Sequence, residues 1–372
     1  MNDNLLCPPA QRRFLRDIWQ QQPLLAPAML PRFAKVLDRR RMFDLACRDD
    51  MQSRLVVRVR GRWELTHGPF SKRTLDRLPD RNWTLLVNGI ENRLPAAREL
   101  QQIFNFIPYA RHDDVMVSYA VPGGGVGPHF DSYDVMLLQG MGTRRWQISS
   151  QSDLALVPGA PLRILRRFRM QREWIVRAGD LLYLPPQYAH YGTALDECMT
   201  WSLGFRAPTR QEMAVRFLEF LQDRLQLDGT YRDPHLKPQR HPAAIGADMV
   251  RQLGTMLESI RWNNADITRC VGEYLSEPHA EVVFSPPKPL APARFAALAS
   301  ARGLRLDLRS RMLYRGNLIF INGESVQTPA GTRGTLQALA DARALPPRTR
   351  IAKTDYELMH RWYQAGYLEF GV

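Results

Sequence analysis

His129, Phe130 and Asp131 stand together, and a third metal-capable side chain, His190, follows an apolar run, Leu181-Leu182-Tyr183-Leu184, closed by Pro185-Pro186. Two imidazoles and one carboxylate are the facial ligand set of a non-haem ferrous ion, which keeps coordination positions open for a cosubstrate and dioxygen. In an extended chain residues two apart point to the same side, so His129 and Asp131 can share one ion. His190, 59 residues after Asp131, must be delivered by a separate strand. An H-x-D pair alone is a weak signal, because histidines and aspartates meet by chance on surfaces. The preceding Pro122-Gly123-Gly124-Gly125-Val126-Gly127-Pro128 gives it context, since so many glycines permit tight turning and close backbone approach. Gly179-Asp180 marks a turn just before the strand that leads to His190.

The elements that must position these groups are short strands. Segments 115–121, 135–139, 145–148, 181–184 and 199–203 alternate or run apolar with β-branched and aromatic content, and glycine and proline turns separate them. This is the pattern of a mainly β catalytic core of jelly-roll, double-stranded β-helix type. After Gly204-Phe205-Arg206-Ala207-Pro208 the pattern changes. Thr209-Arg210-Gln211-Glu212 is a capping box that opens a helix. Met213, Phe217, Leu218, Leu221 and Leu225 follow at helical spacing, and a second stripe runs through Met249, Val250, Leu253, Met256, Leu257 and Ile260. Residues 231–242, rich in Pro, His and Arg, read as a connecting loop. Beyond Pro286-Pro287-Lys288-Pro289 a small α+β unit is expected. Its helices lie at 291–301, 335–342 and 355–365, and its short strands turn at Gly316-Asn317 and Asn322-Gly323. The division is 1–207 for the catalytic core, 208–280 for a helical module and 281–372 for a winged-helix-like end. The last helix carries Tyr356, Leu358, Met359, Trp362 and Tyr363, a composition suited to packing rather than to entering a nucleic-acid groove.

From Ser118 to Arg206, the strings VPGGGVGPHFDSYDV, GTRRWQI, AGDLLYLPPQYAH and SLGFRAP resemble the bacterial JmjC-type ribosomal oxygenases. The likeness extends upstream through Phe14-Leu15, Trp19, Pro23-Leu24, His67-Gly68-Pro69-Phe70 and Trp83-Thr84-Leu85-Leu86-Val87, and less sharply into the C-terminal part. It implies a cupin fold, Fe(II) at His129, Asp131 and His190, and 2-oxoglutarate and dioxygen as cosubstrates. It further implies hydroxylation of an arginine side chain of a large-subunit ribosomal protein, the sixteenth, and a helical module that makes a homodimer. Arg144 occupies the position that supplies the cation for the distal carboxylate of 2-oxoglutarate in that family. A bidentate guanidinium suits this task, while Arg145 points the other way by strand alternation. Ser118 and Thr200, hydroxyls on core strands, are candidate donors to the cosubstrate. Tyr133 and Asp134 are candidates for gripping the target side chain, although in a regular strand Asp134 faces away from Asp131. No acid or base beyond the metal ligands is expected to be catalytic.

Charge and composition set the remaining expectations. The chain of 372 residues is longer than one compact core usually holds, and its net charge is +14. That charge favours polyanionic surroundings and hence non-specific contact with ribosomal RNA. The densest basic stretch is Arg163, Arg166, Arg167, Arg169 and Arg172, placed before His190 and expected near the barrel mouth. No aromatic RNA-binding signature accompanies it. An RNA-associated ribosome-assembly factor of cupin fold without hydroxylase activity is the competing reading, and iron-dependent turnover separates the two. Apolar runs fall short of a membrane span, and the polar opening MNDNLLCPPAQRR suggests a cytoplasmic protein. Cys7, Cys47, Cys198 and Cys270 show no metal-binding spacing and are expected as reduced thiols.

Overall fold

The computed structural model describes residue 5 and residues 7–34, 36–329 and 333–371. Contacts gather the chain into two compact units, one of Met1–Ala207, Pro278–Ser310 and Gly334–Val372, the other of Pro208–Glu277 and Arg311–Arg333.

Eleven strands build the catalytic half of the first unit among the described residues: β1 (Leu24–Ala26), β2 (Ser53–Val59), β3 (Arg62–His67), β4 (Trp83–Val87), β5 (His112–Ala120), β6 (Asp134–Met141), β7 (Thr143–Ser149), β8 (Arg172–Arg177), β9 (Leu181–Leu184), β10 (Ala189–Ala194) and β11 (Cys198–Phe205). Eight form a sheet in the order β1-β9-β6-β11-β5-β4-β2-β3, and three form a second sheet, β10-β7-β8. The pairing is antiparallel, as the jelly roll requires. Strand β6 explains why the sequence runs apolar without a polar beat. Val135 and Leu137 join Trp146, Ile148, Val176, Leu182 and Leu184 in one core cluster, while Met136 and Leu138 turn to another, built with Phe14, Trp83, Tyr183 and Trp201. Both faces are buried, so a period of two is invisible in hydropathy. The covering helices at Pro8–Asp17, Arg39–Ala46, Lys72–Asp76 and Pro95–Ile103 were not anticipated from the sequence.

The first unit also contains the three-stranded sheet of Leu304–Leu306, Ala344–Leu345 and Leu368–Phe370, with helices at Pro292–Arg302 and Lys353–Gln364. Leu358, Met359, Trp362 and Tyr363 on the last helix are buried, in keeping with a packing role.

In the second unit the capping box of Thr209 and Glu212 forms as expected, and Arg210–Gln222 is helical. Helices Ala247–Glu258 and Asn264–Ser276 follow, the latter opened by a second capping box, Asn263 with Asp266. Phe220, Leu221 and Cys270 form the core of this unit, with Phe217 and Leu225 against it. Part of the first apolar stripe therefore serves the unit itself. Gly272 lets its helix lie on the Phe320 ring of the hairpin strands 312–327, where a side chain would collide.

Candidate active site

His129 and His190 meet across an isolated antiparallel bridge, His129 N donating to His190 O at 3.0 Å and His190 N to His129 O at 2.7 Å. Asp131 lies just past the bridge and its carbonyl accepts from Gln187 N at 2.7 Å. The H-x-D segment is thus a single bridge followed by a bend into β6, not a continuous strand. The glycine run makes this approach possible. A side chain at Gly125 would strike the carbonyl of Gly192 on β10, and Gly127 holds φ +81°, a left-handed conformation that glycine adopts freely.

Each imidazole is oriented by its own backbone. Nδ1 of His129 is 2.9 Å from Gly127 O, and Nδ1 of His190 is 2.8 Å from Tyr188 O. A carbonyl only accepts, so both protons sit on Nδ1 and both Nε2 atoms present a lone pair. Nε2 of His190 lies 3.6 Å from Asp131 Oδ2, and the ligand atoms of the three residues are within 4.8 Å of one another. Burial, together with the adjacent His129 ring, pushes His190 down to about 4, which keeps it neutral and able to coordinate at neutral pH. Two nitrogens and one carboxylate on the wall of a cavity fit a ferrous ion with open positions.

That cavity, about 350 Å³, is also lined by Ser118, Tyr133, Arg144, Trp146 and Thr200. Arg144 is 4% exposed, and its Nε and Nη2 have no hydrogen-bond partner among the described residues. The indole Nε1 of Trp146 is likewise unsatisfied. Buried donors are nearly always paired, so a guanidinium with two idle donors facing a cavity is a cradle for an anion, and a dicarboxylate fits it. Arg145, by strand alternation, is not in the lining. Ser118 on β5 and Thr200 on β11 are direct cross-strand neighbours. Thr200 donates its proton to Gln139 Oε1 at 2.9 Å, which leaves Ser118 as the hydroxyl ready to donate.

The two candidate substrate grips part company. Tyr133 lines the cavity, and the nearby Asp131 carboxylate together with burial raises its phenol pKa, so it stays protonated. Asp134 does not line the cavity. It is fully buried and accepts from Tyr183 Oη at 2.6 Å, Gln20 Nε2 at 2.8 Å and Arg111 Nη2 at 3.1 Å. The expectation that it grips substrate is corrected, since strand parity turns it into the core. Besides the metal-site Asp131, a second carboxylate lines the cavity, Asp114, which sequence reasoning missed. Asn88 Nδ2 donates to its Oδ2 at 2.8 Å, while burial and the adjacent Asp113 hold its pKa above the ordinary range. The signal was available: Asp114, Met116 and Ser118 share one face of β5, and all three line the cavity.

Residues 99–213 match the JmjC domain family and residues 259–369 the ROXA-like winged helix family. The ribosomal protein uL16 3-hydroxylase of Escherichia coli (strain K12) is 32% identical over 335 residues, 89% of each chain. A probable ribosomal oxygenase of Haemophilus influenzae is 39% identical over 200 residues, 52% of this chain and 49% of that one. The X-ray structure of E. coli YcfD matches with a TM-score of 0.85 at 30% identity, covering 96% of this chain and 97% of that one. YcfD in complex with cobalt and 2-oxoglutarate matches with a TM-score of 0.82 at 30% identity, covering 97% and 98%. With a JmjC core around a His-Asp-His cluster, a ROXA-like winged helix later in the sequence and a relative aligned along 89% of its length, this chain belongs to the JmjC-type ribosomal oxygenases.

Proposed function

We propose that this chain is an Fe(II)- and 2-oxoglutarate-dependent hydroxylase of an arginine side chain in a large-subunit ribosomal protein. The observation that carries the reading is one cavity holding both the His129, Asp131 and His190 cluster and a buried arginine with idle donors. The relative named for uL16 supports the substrate class, and the cobalt and 2-oxoglutarate complex of YcfD supports the cofactor pair. A ferrous ion with 2-oxoglutarate and dioxygen supplies the oxidation of an unactivated C–H bond, giving succinate and carbon dioxide as co-products. His129, Asp131 and His190 would hold the metal. Arg144 would pair with the distal carboxylate, with Ser118 donating to it and Thr200 shaping the wall. Asp114, Tyr133 and Met116 line the same cavity and offer a target guanidinium a carboxylate, a phenol and an apolar wall. Mass spectrometry of ribosomal proteins from cells with and without the gene tests the whole reading, which requires one added oxygen on one arginine peptide.

Asp114→Asn keeps the shape and the Asn88 contact but removes the charge that meets a guanidinium. A buried charge-assisted pair is worth about 2 kcal/mol at the low end, so the KM for an arginine peptide should rise about 30-fold. Peptide-independent turnover of 2-oxoglutarate should stay near wild type. An unchanged peptide KM would place the guanidinium elsewhere.

A homodimer is part of the reading. Helix Ala247–Glu258 buries none of its residues, and Val250, Leu253, Met256 and Leu257 are exposed, as is Leu218 on Arg210–Gln222. A helix that leaves its apolar stripe in water fits a partner surface, here a second copy of this chain. Leu253→Glu with Leu257→Glu should turn the dimer into a monomer in sedimentation velocity, and a wild-type protein that sediments as a monomer at micromolar concentration removes the premise. This reading gives catalysis to residues 1–207, dimerisation to 208–280 and docking to protein to 281–372, while the matched winged-helix region, 259–369, begins within the helical part. A cytoplasmic location fits the ribosomal target and four free thiols. No helix among the described residues is long and apolar enough to cross a membrane. The net charge of +14 supports non-specific contact with ribosomal RNA.

A further inference from the structure

Between β7 and β8 the chain makes an arch over residues 150–171, and its backbone is firmly tied. Val157 N donates to Ile164 O and Arg166 N to Ala155 O, both at 2.8 Å, around a bridge between Leu156 and Leu165. Gln151 ties the descending limb, its Nε2 reaching Arg167 O at 2.9 Å and its Oε1 accepting from Arg169 N at 2.9 Å. Leu165 N donates to Pro128 O at 2.8 Å, so the arch is fixed to the segment that carries His129. Leu162 and Arg163 reach the cavity lining, and Arg163 lies 4.9 Å from the centre of the Phe130 ring. The arch is therefore the rim of the active-site mouth.

Six arginines and one glutamate lie between Arg163 and Arg177, and the glutamate, Glu173, already accepts from Gln147. Arg163, Arg166, Arg167, Arg169, Arg172 and Arg177 are exposed, and among the described residues none of them enters an ion pair. Aromatic faces stand among them, with Arg172 over Trp174 at 5.3 Å and Phe168 edge-on to Tyr191 at 6.5 Å. Unpaired guanidinium groups can bind phosphate through two parallel hydrogen bonds, and guanidinium planes and aromatic rings stack on unpaired bases.

We propose that this arch is an RNA-docking surface beside the active-site mouth, so that the target is engaged as protein already bound to RNA. The proposal rests on the arginine-hydroxylase reading and sharpens it. A free cationic side chain on its way to Asp114 passes an arginine rim that repels it. When RNA phosphates neutralise the target's surroundings, the same rim attracts the particle. Sequence-independent binding is expected, because the arch offers charge and stacking but no ordered set of base-edge readers.

The test uses the full-length protein and a fluorescent RNA hairpin with a single-stranded loop, followed by anisotropy over a range of potassium chloride. The triple variant Arg166→Gln, Arg167→Gln, Arg169→Gln removes three exposed cations outside the cavity lining. Each lost single-strand phosphate contact lowers the log–log salt slope by about 0.7, so the slope should flatten by about 2 and affinity near ~0.1 M salt should fall about tenfold or more. Turnover of a short free arginine peptide should be retained in the variant or rise, since the rim that repels a free cation has lost three charges. RNA binding equal to wild type in the triple variant, or wild-type binding indifferent to salt, overturns the proposal. Binding to vesicles rich in phosphatidylglycerol without binding to RNA overturns it too. Failure of the wild-type protein to hydroxylate the peptide at all would strike the arginine-hydroxylase reading instead, and is measured separately.

Discussion

Asp131→Ala and His129→Ala are each expected to reduce peptide hydroxylation to background even with added ferrous iron and 2-oxoglutarate. A three-residue ligand set has no spare member, and no alternative cluster of metal-capable groups occurs among the described residues. Weakening of ferrous binding should exceed the roughly 10–100-fold that follows from losing only a hydrogen-bonding group behind a ligand. The fold should survive, because both side chains are only partly buried and their truncation leaves no large void, a cost of about 1 kcal/mol. Isothermal titration with manganese, peptide mass spectrometry and thermal melting read the three effects independently. Wild-type turnover in either variant would sink the metal assignment.

How much of the site is legible in the sequence depends on parity and on which faces are buried. His129, Asp131 and His190 were legible because their chemistry is rare and a glycine run announces close backbone approach. The strands were legible by composition, although β6 and β9, buried on both faces, carry no alternation. Asp134 illustrates how parity decides. The chain bends after Asp131, and β6 then places odd residues such as Val135 and Leu137 in one cluster and even ones such as Met136 and Leu138 in another. Asp134 goes with the even set, beside Tyr183. The same rule applied backward from Ser118 would have found Met116 and Asp114.

Helices were legible only where a cap was recognised. The box of Thr209 and Glu212 is readable from its residue types, whereas the box of Asn263 and Asp266 uses an amide and the shorter carboxylate and gives a weaker signal. The helices before β5 have proline at the first turn or a lone Asp or Ser cap and are short, so their stability comes from packing on the sheet rather than from local propensity. Long-range facts were the least legible. That Phe217 and Leu221 serve their own unit while Val250 and Leu257 stay in water depends on where Cys270 comes to rest.

Arg144→Met is expected to weaken 2-oxoglutarate binding by about 30-fold or more. The arginine is buried with Nε and Nη2 unsatisfied. A dicarboxylate entering the cavity would gain two parallel charge-assisted hydrogen bonds and lose its hydration in return. Removing one side of such a pair leaves the other desolvated and unmatched, a loss of about 2 to 5 kcal/mol, and each 1.4 kcal/mol is about tenfold. Metal affinity should be untouched, since Arg144 is not in the ligand cluster. Stability without cosubstrate should hold or rise, because an unpaired buried guanidinium is a cost in the empty pocket that methionine does not carry. Wild type and variant should therefore respond unequally to added 2-oxoglutarate. The wild-type melting temperature climbs as ligand reaches about 100 Kd, worth about 2.7 kcal/mol, while the variant, bound about 30-fold more weakly, gains about 0.9 kcal/mol or less at the same concentration. Arg144→Lys should fall between them, keeping the charge without the planar fork that meets two carboxylate oxygens at once. Titration of the manganese-loaded proteins gives the dissociation constants directly. A variant that binds 2-oxoglutarate as tightly as wild type would move the anion site off Arg144, with Arg54 and Arg163, the other arginines of the cavity lining, the next positions to substitute.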